Sequence, residues 1–247
     1  MQRYFIDNIN NSTIDITSGK ITISGDDHYH ISKVMRMRAA DQVYVCFQQA
    51  TYLASITKID QTTIYLDIVN QLDENPELSI EVTIAQGIVR REKMEEVIDR
   101  VSELGAFAYL PVNMERCNVK LADEKMERKL ERLKKIAKEA CEQAHRNNLL
   151  QVLSPISWKE FLKYSKNFDL CLVAYEGSLR DDNLRQYLHT TYHNILILVG
   201  PEGGISPKEI DDLLASNFKK VTLGPRILRT EVAPVYIMSA IAYERGE

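Results

Sequence analysis

The chain has 247 residues, 45% apolar and 27% charged, with 31 Lys and Arg against 35 Asp and Glu for a net charge of −4. That length can bury a core without disulfide or metal support. The balance excludes collagen-like and low-complexity character, and the longest aliphatic run, Ile195 to Val199, is far too short for a membrane span.

Nothing between Met1 and Asp7 has the apolar stretch and cleavage site of a signal peptide, so a soluble, cytoplasmic protein is expected. The cysteines at 46, 117, 141 and 171 form no Cys-x-x-Cys pair and read as reduced thiols. His28/His30 and His189/His193 are the only close histidine pairs, and neither has further ligands at metal spacing beside it, so no metal is expected. The net charge argues against nonspecific coating of nucleic acid. A local basic patch is still available between Asn113 and Arg146, where ten Lys and Arg outnumber seven Asp and Glu.

The first seventy residues read as β-rich. Ile14/Ile16, Ile21/Ile23, Val43/Val45/Phe47, Tyr52/Ala54/Ile56 and Ile64/Leu66/Ile68 alternate with polar neighbours, the period of half-buried strands. Their short spacing suggests a small barrel or sandwich. One helical insertion is expected, capped at Asp26 or Asp27 and burying Ile31, Val34 and Met35. The acidic, turn-rich stretch from Gln71 to Glu77 predicts a domain boundary, giving domains 1–72 and 73–247.

Beyond it strands and helices alternate. Strands are predicted at Ile80–Ala85, Phe107–Val112, Leu170–Tyr175, Ile195–Val199 and Val221–Leu223. Helices are predicted at Glu92–Leu104, Leu121–Arg146, Asp181–Leu188 and Pro207–Ser216, with a last one ending near Tyr243. Short apolar runs between amphipathic helices predict a parallel sheet covered on both faces, hence an α/β domain.

Two loops carry the chemical signal. The strand ending at Val199 runs into Gly200-Pro201-Glu202-Gly203-Gly204, then a helix with a capping box of Ser206 and Glu209 and with Pro207 at its first position. The turn matches neither the P-loop nor the dinucleotide fingerprint. Glu202 would repel a polyphosphate, and a positively charged ligand such as S-adenosylmethionine, with its ammonium and sulfonium, is more compatible. The alternative is a tight turn that needs glycine for conformation alone. In the second loop, Leu223-Gly224-Pro225-Arg226-Ile227-Leu228-Arg229-Thr230-Glu231, two arginines precede a helix expected to be capped at Thr230. Arginines there suit phosphate or a developing oxyanion, or simply a solvated surface.

Taken together, these two loops resemble the paired signature of the 16S rRNA (uridine(1498)-N3)-methyltransferase family, part of the SPOUT superfamily of knotted methyltransferases. The resemblance extends along nearly the whole chain, through His30 to Arg38, Glu103-Leu104-Gly105 with Pro111 and Glu115-Arg116-Cys117, and Ala140 to Arg146. Departures from the family pattern are Ala40 in place of a usual Gly before Asp41, Val232 in place of a frequent Thr, Pro234 in the first turn of the final helix, and Leu149-Leu150-Gln151 in place of a Val-Pro-like run.

The resemblance implies an α/β fold in which a PUA-like N-terminal barrel docks RNA and a C-terminal domain carries a trefoil knot. It implies S-adenosylmethionine bound by Val199, Gly200, Glu202, Gly203, Gly204, Leu223, Gly224, Ile227 and Leu228. The partners implied are 16S rRNA in the small ribosomal subunit and a second copy of the chain, with no membrane and no metal. Arg229, then Arg226, are the candidates to favour the N3 anion of a uridine. Arg3, His30, Arg36, Arg38, Arg116 and Arg146 are candidates for RNA contact, as is Lys120. Two alternatives are a ribose 2′-O-methyltransferase of the same superfamily, told apart by the methylated atom, and a noncatalytic RNA-binding assembly factor, told apart by loss of cofactor binding.

Overall fold

In the computed structural model the described residues are 1–6, 12–119, 126–177, 183–188 and 192–246. They divide into two compact units, one of residues 1–77 with 141–149 and one of 78–140 with 150–247.

The first unit is built on six strands: β1 (Arg3–Phe5), β2 (Thr13–Asp15), β3 (Lys20–Ser24), β4 (Gln42–Phe47), β5 (Ala50–Ile59) and β6 (Thr63–Leu72), in the order β1-β4-β5-β6-β3-β2. Among the described residues of this unit, only β1–β4 is a parallel pair. The alternation read from the sequence places Ile21, Ile23, Val43, Val45, Ala54, Ile56, Ile64 and Leu66 in one core with Tyr4 and Ile31, while Ile16 is exposed.

The helical insertion is α1 (Gly25–Tyr29), followed by a π-helical turn over His30–Val34. It begins after Ser24 with no side-chain cap, and of the three apolar residues expected inside it buries only Ile31. Widening to a π turn rotates the later residues off the α-helical stripe, which leaves Val34 and Met35 exposed. Ala40, in place of a glycine, still takes φ +76°, a left-handed conformation that costs an alanine free energy.

The unit ends at Glu77 because Glu74 and Glu77 are tied into it. Arg3 Nη2 donates to Glu74 Oε1 at 2.8 Å, and its Nη1 donates to Asn147 Oδ1 at 2.8 Å and to the carbonyls of His145 and Arg146. Arg146 pairs with Glu77 at 2.6 Å, and Glu77 Oε1 also accepts from the amides of Asn147 and Asn148.

The second unit holds a seven-stranded sheet in which every pair is parallel. Its members are β7 (Glu81–Gly87), β8 (Ala108–Asn113), β9 (Gln151–Val152), β10 (Ile156–Ser157), β11 (Leu170–Ala174), β12 (Asn194–Val199) and β13 (Lys219–Val221). The path runs β10-β8-β7-β12-β11-β13, with β9 on β8. Continuous apolar runs such as Ile195 to Val199 are buried throughout, as central parallel strands require. The helices are α2 (Arg91–Glu103), α3 (Met126–Gln143), α4 (Trp158–Tyr164), α5 (Arg185–Leu188), α6 (Pro207–Ala215) and α7 (Val232–Arg245).

On α2 the stripe Met94, Val97, Ile98, Val101 is buried as its spacing predicts. The long basic helix ends at Gln143 rather than Arg146, because His145 is left-handed at φ +57°. The part predicted from Leu121 to Lys125 lies outside the described residues, as do Lys120 and residues 181 and 182 of the predicted helix Asp181–Leu188. The elements β9, β10 and α4 were not predicted: two-residue strands carry no periodicity, and the seven-residue α4 is marked only by the capping box of Ser157 and Glu160. Among the described residues, no helix is long and apolar enough to cross a membrane.

Candidate functional site

Strands β11, β12 and β13 are parallel, so their carboxyl ends open on one edge of the sheet, where α/β folds bind ligands. There the loops enclose a cavity of about 580 Å³, within the range of small-molecule sites. Its wall includes every residue predicted for the cofactor: Val199, Gly200, Glu202, Gly203, Gly204, Leu223, Gly224, Ile227 and Leu228. Arg226 and Arg229 line it as well. The two loops do not follow adjacent strands: β11 lies between β12 and β13, and its end adds Ala174, Tyr175 and Glu176 to the wall.

The turn after β12 is held from several sides. Gly204 takes φ +72°, open to glycine at no steric cost. Gly203 is needed for a different reason: a Cβ there would lie 2.8 Å from the Arg116 carbonyl oxygen. The predicted capping box is present, with Ser206 accepting from the Glu209 amide, Glu209 accepting from that of Ser206, and Pro207 in the first turn. Glu209 also accepts from the Glu115 amide at 2.8 Å, and Ser206 Oγ donates to Glu115 Oε2 at 2.8 Å. Arg116 donates to the carbonyls of Gly203 and Ile205 at 3.4 and 3.5 Å. Arg116 thus supports the glycine turn, a role its position in the sequence does not reveal.

Thr230 was expected to cap the last helix. Instead α7 starts at Val232 after Glu231, without a side-chain cap. The Thr230 hydroxyl donates to the Gly200 carbonyl at 2.7 Å and accepts from Gln86 Nε2 at 2.9 Å. Gln86 also donates to the Thr230 carbonyl and accepts from the Tyr109 hydroxyl at 2.6 Å. This buried chain of polar groups joins the two glycine loops to β7 and β8, and burial raises the Tyr109 hydroxyl far above its ordinary pKa, so it donates as a neutral phenol. The strand before the second loop stops at Val221, two residues earlier than predicted, which frees Thr222 and Leu223 to face the cavity.

Lys93 on α2 was missed altogether. Its Nζ lies 3.0 Å from Glu231 Oε2 and 3.6 Å from Glu202 Oε1. Burial pushes the Glu231 carboxyl up, but its own amide N–H, Lys93 and Arg229 outweigh that and hold it below the usual carboxylate range. Glu231 is therefore ionised at neutral pH and poorly suited to be a general base. Arg226 and Arg229 are exposed at the cavity and make no side-chain hydrogen bond or ion pair among the described residues, so both are available to a ligand.

Besides Arg116 and Lys120, the residues predicted to contact RNA separate into groups. Arg36 and Arg38 are exposed. His30 is half-buried, with Nδ1 at 3.0 Å from the Tyr4 hydroxyl. Arg3 and Arg146 are each only 3% exposed and bound by carboxylates and carbonyls of the first unit.

A family model described as an RNA methyltransferase domain matches residues 76–242. The ribosomal RNA small subunit methyltransferase E of Bacillus subtilis is 38% identical over 99% of this chain and 97% of its own length. The crystal structure of a ribosomal RNA small subunit methyltransferase E from Neisseria gonorrhoeae bound to S-adenosyl methionine superposes with a TM-score of 0.84 at 27% identity, over 98% of this chain and 97% of that one. A Legionella pneumophila methyltransferase in complex with the same cofactor matches with the same score and identity, over 98% and 96%. With the family model covering most of its length and a relative of this similarity spanning nearly all of it, the chain belongs to the RNA methyltransferase family, among the ribosomal RNA small subunit methyltransferases E.

Proposed function

We propose that this protein transfers a methyl group from S-adenosylmethionine to N3 of a uridine in 16S rRNA of the small ribosomal subunit. The observation that carries the reading is one cavity walled by both signature loops, with Arg226 and Arg229 free at its edge. The donor set fits the cofactor. Val199, Ile205, Leu223 and Leu228 give apolar cover for an adenine, the loop backbones give hydrogen-bonding groups, and Glu202 and Glu231 suit the cationic ammonium and sulfonium. When bound, the cofactor supplies a methyl group on a sulfonium, which needs no metal to leave.

The protein's share is to orient the base and favour loss of its N3 proton. Uracil N3–H is a weak acid, and a guanidinium beside the uracil oxygens stabilises the anion. Arg229 takes that role and Arg226 assists. Exposed Arg36 and Arg38, with His30 at the base of their loop, contact the RNA from the first unit, which serves as a PUA-like barrel. The target base is turned out of its helix to reach the pocket. The second unit carries the trefoil knot of its superfamily, and two copies of the chain associate. Ile237, Met238 and Ile241 of α7 are buried within the chain, and Val232, Tyr236 and Tyr243 are left exposed for such a contact. The protein acts in the cytoplasm, where ribosomal subunits are assembled.

The test is incubation of labelled S-adenosylmethionine with small subunits lacking the modification, followed by digestion to nucleosides and mass identification. Label in 3-methyluridine is expected. Label in a ribose-methylated nucleoside overturns the assignment of the target atom, and no transfer despite cofactor binding points to another RNA substrate.

A further inference from the structure

Lys93 stands apart from the two loops in sequence, yet its ammonium reaches a carboxylate on each. Glu202 belongs to the turn after β12 and Glu231 closes the loop before α7, and Lys93 reaches them at 3.6 and 3.0 Å. The Lys93 side chain is 30% exposed and those of Glu202 and Glu231 are 21% and 11% exposed, so the pairs are partly shielded from solvent screening. All three line the cavity, with Glu176 of the β11 end and Arg226 and Arg229 of the second loop the other charged groups of the wall. The Lys93 ammonium cancels one unit of negative charge at that corner, where the Arg229 guanidinium also acts on Glu231.

We propose that Lys93 is a positioning residue that braces the two cofactor loops and, by cancelling one carboxylate charge, sets how strongly the cavity prefers the sulfonium cosubstrate over its neutral thioether product. The proposal rests on the S-adenosylmethionine reading above and is independent of which RNA atom is methylated. The two ligands share the adenosyl and amino-acid groups and differ in one methyl and one positive charge. Loss of the brace weakens both alike. Loss of the lysine charge acts on their ratio, because the added negative charge attracts the sulfonium and does nothing for the thioether. A preference of the right size lets the product leave without holding the cosubstrate too tightly during turnover.

The test is calorimetric titration of S-adenosylmethionine and S-adenosylhomocysteine into the wild type and into Lys93→Met, Lys93→Arg, Glu231→Gln and the double variant Lys93→Met/Glu231→Gln. Lys93→Met is expected to shift the affinity ratio toward the sulfonium on the order of fivefold, the effect of one charge at short range in a partly screened site. Lys93→Arg keeps the wild-type ratio. Glu231→Gln shifts it toward the thioether, and this variant serves even if Lys93→Met does not fold. The double variant returns toward the wild-type ratio. A folded Lys93→Met protein with an unchanged ratio, or a shift that Glu231→Gln fails to reverse, overturns the role of Lys93 alone. A wild type that binds neither ligand overturns the cofactor reading and this proposal with it.

Discussion

Thr230 shows how much one hydroxyl can organise. It donates to the Gly200 carbonyl and accepts from Gln86, so one side chain links the first glycine loop to the second. Thr230→Val keeps the shape and removes both bonds, leaving the Gln86 amide and the Gly200 carbonyl without this partner. A loss of about 1–3 kcal/mol is expected in urea denaturation, with weaker cofactor binding by titration. A variant as stable as the wild type would show that water replaces the hydroxyl without cost. Arg229 predicts a different signature, since its exposed guanidinium makes no hydrogen bond or ion pair among the described residues. Arg229→Ala is expected to keep the fold and lower methyl transfer on the order of a hundredfold, the scale of one lost charge-stabilising group. If cofactor binding and methylation both stay near wild type, its assignment is wrong.

At the scale of elements, local chemistry and tertiary demand can be seen competing. The turn before β4 needs a left-handed residue and has Ala40 at φ +76° instead of glycine. Ala40→Gly is expected to stabilise the protein by about 1 kcal/mol, read as a higher thermal midpoint; the gain is limited by the entropy glycine adds to the unfolded chain. At the start of α7 the carboxylate of Glu231 is committed to Lys93 rather than to capping. Its pKa is lowered in the folded state, so its contribution to stability is present above the ordinary carboxylate range and disappears as pH falls through the lowered value. The difference in thermal midpoint between wild type and Glu231→Gln should therefore shrink on acidification from pH ~6 to pH ~3. A difference that stays constant would mean the charge of Glu231 does not contribute. The capping box on α6 was legible in advance because Ser206, Pro207 and Glu209 lie within four residues and need only each other.

For the whole molecule the arginines divide by burial. Arg146 is closed in with Glu77 and holds residues 141–149 in the first unit, whereas Arg36 projects from an exposed turn. Arg146→Met leaves Glu77 buried without its cation and should destabilise by roughly 3–5 kcal/mol. Arg36→Ala should leave stability unchanged and weaken RNA binding, more so at low salt. Equal stability losses in the two would contradict this division. The sequence treats both arginines alike as basic residues near a helix or loop end, and nothing in their neighbours marks one as structural.

Residue order alone was enough for the alternating strands of the first unit, the buried parallel strands of the second, the stripe on α2, the glycine turns and the cap of α6. Each depends on a period or a turn held within a few residues. Tertiary structure alone decided that Lys93 meets Glu202 and Glu231, that Arg3 and Arg146 are buried, and that Thr230 bonds to Gly200 instead of capping a helix. Gln86 and Thr230 are 144 residues apart, and pairing over that distance follows from how strands are ordered in a sheet. Local propensity carries no record of that order.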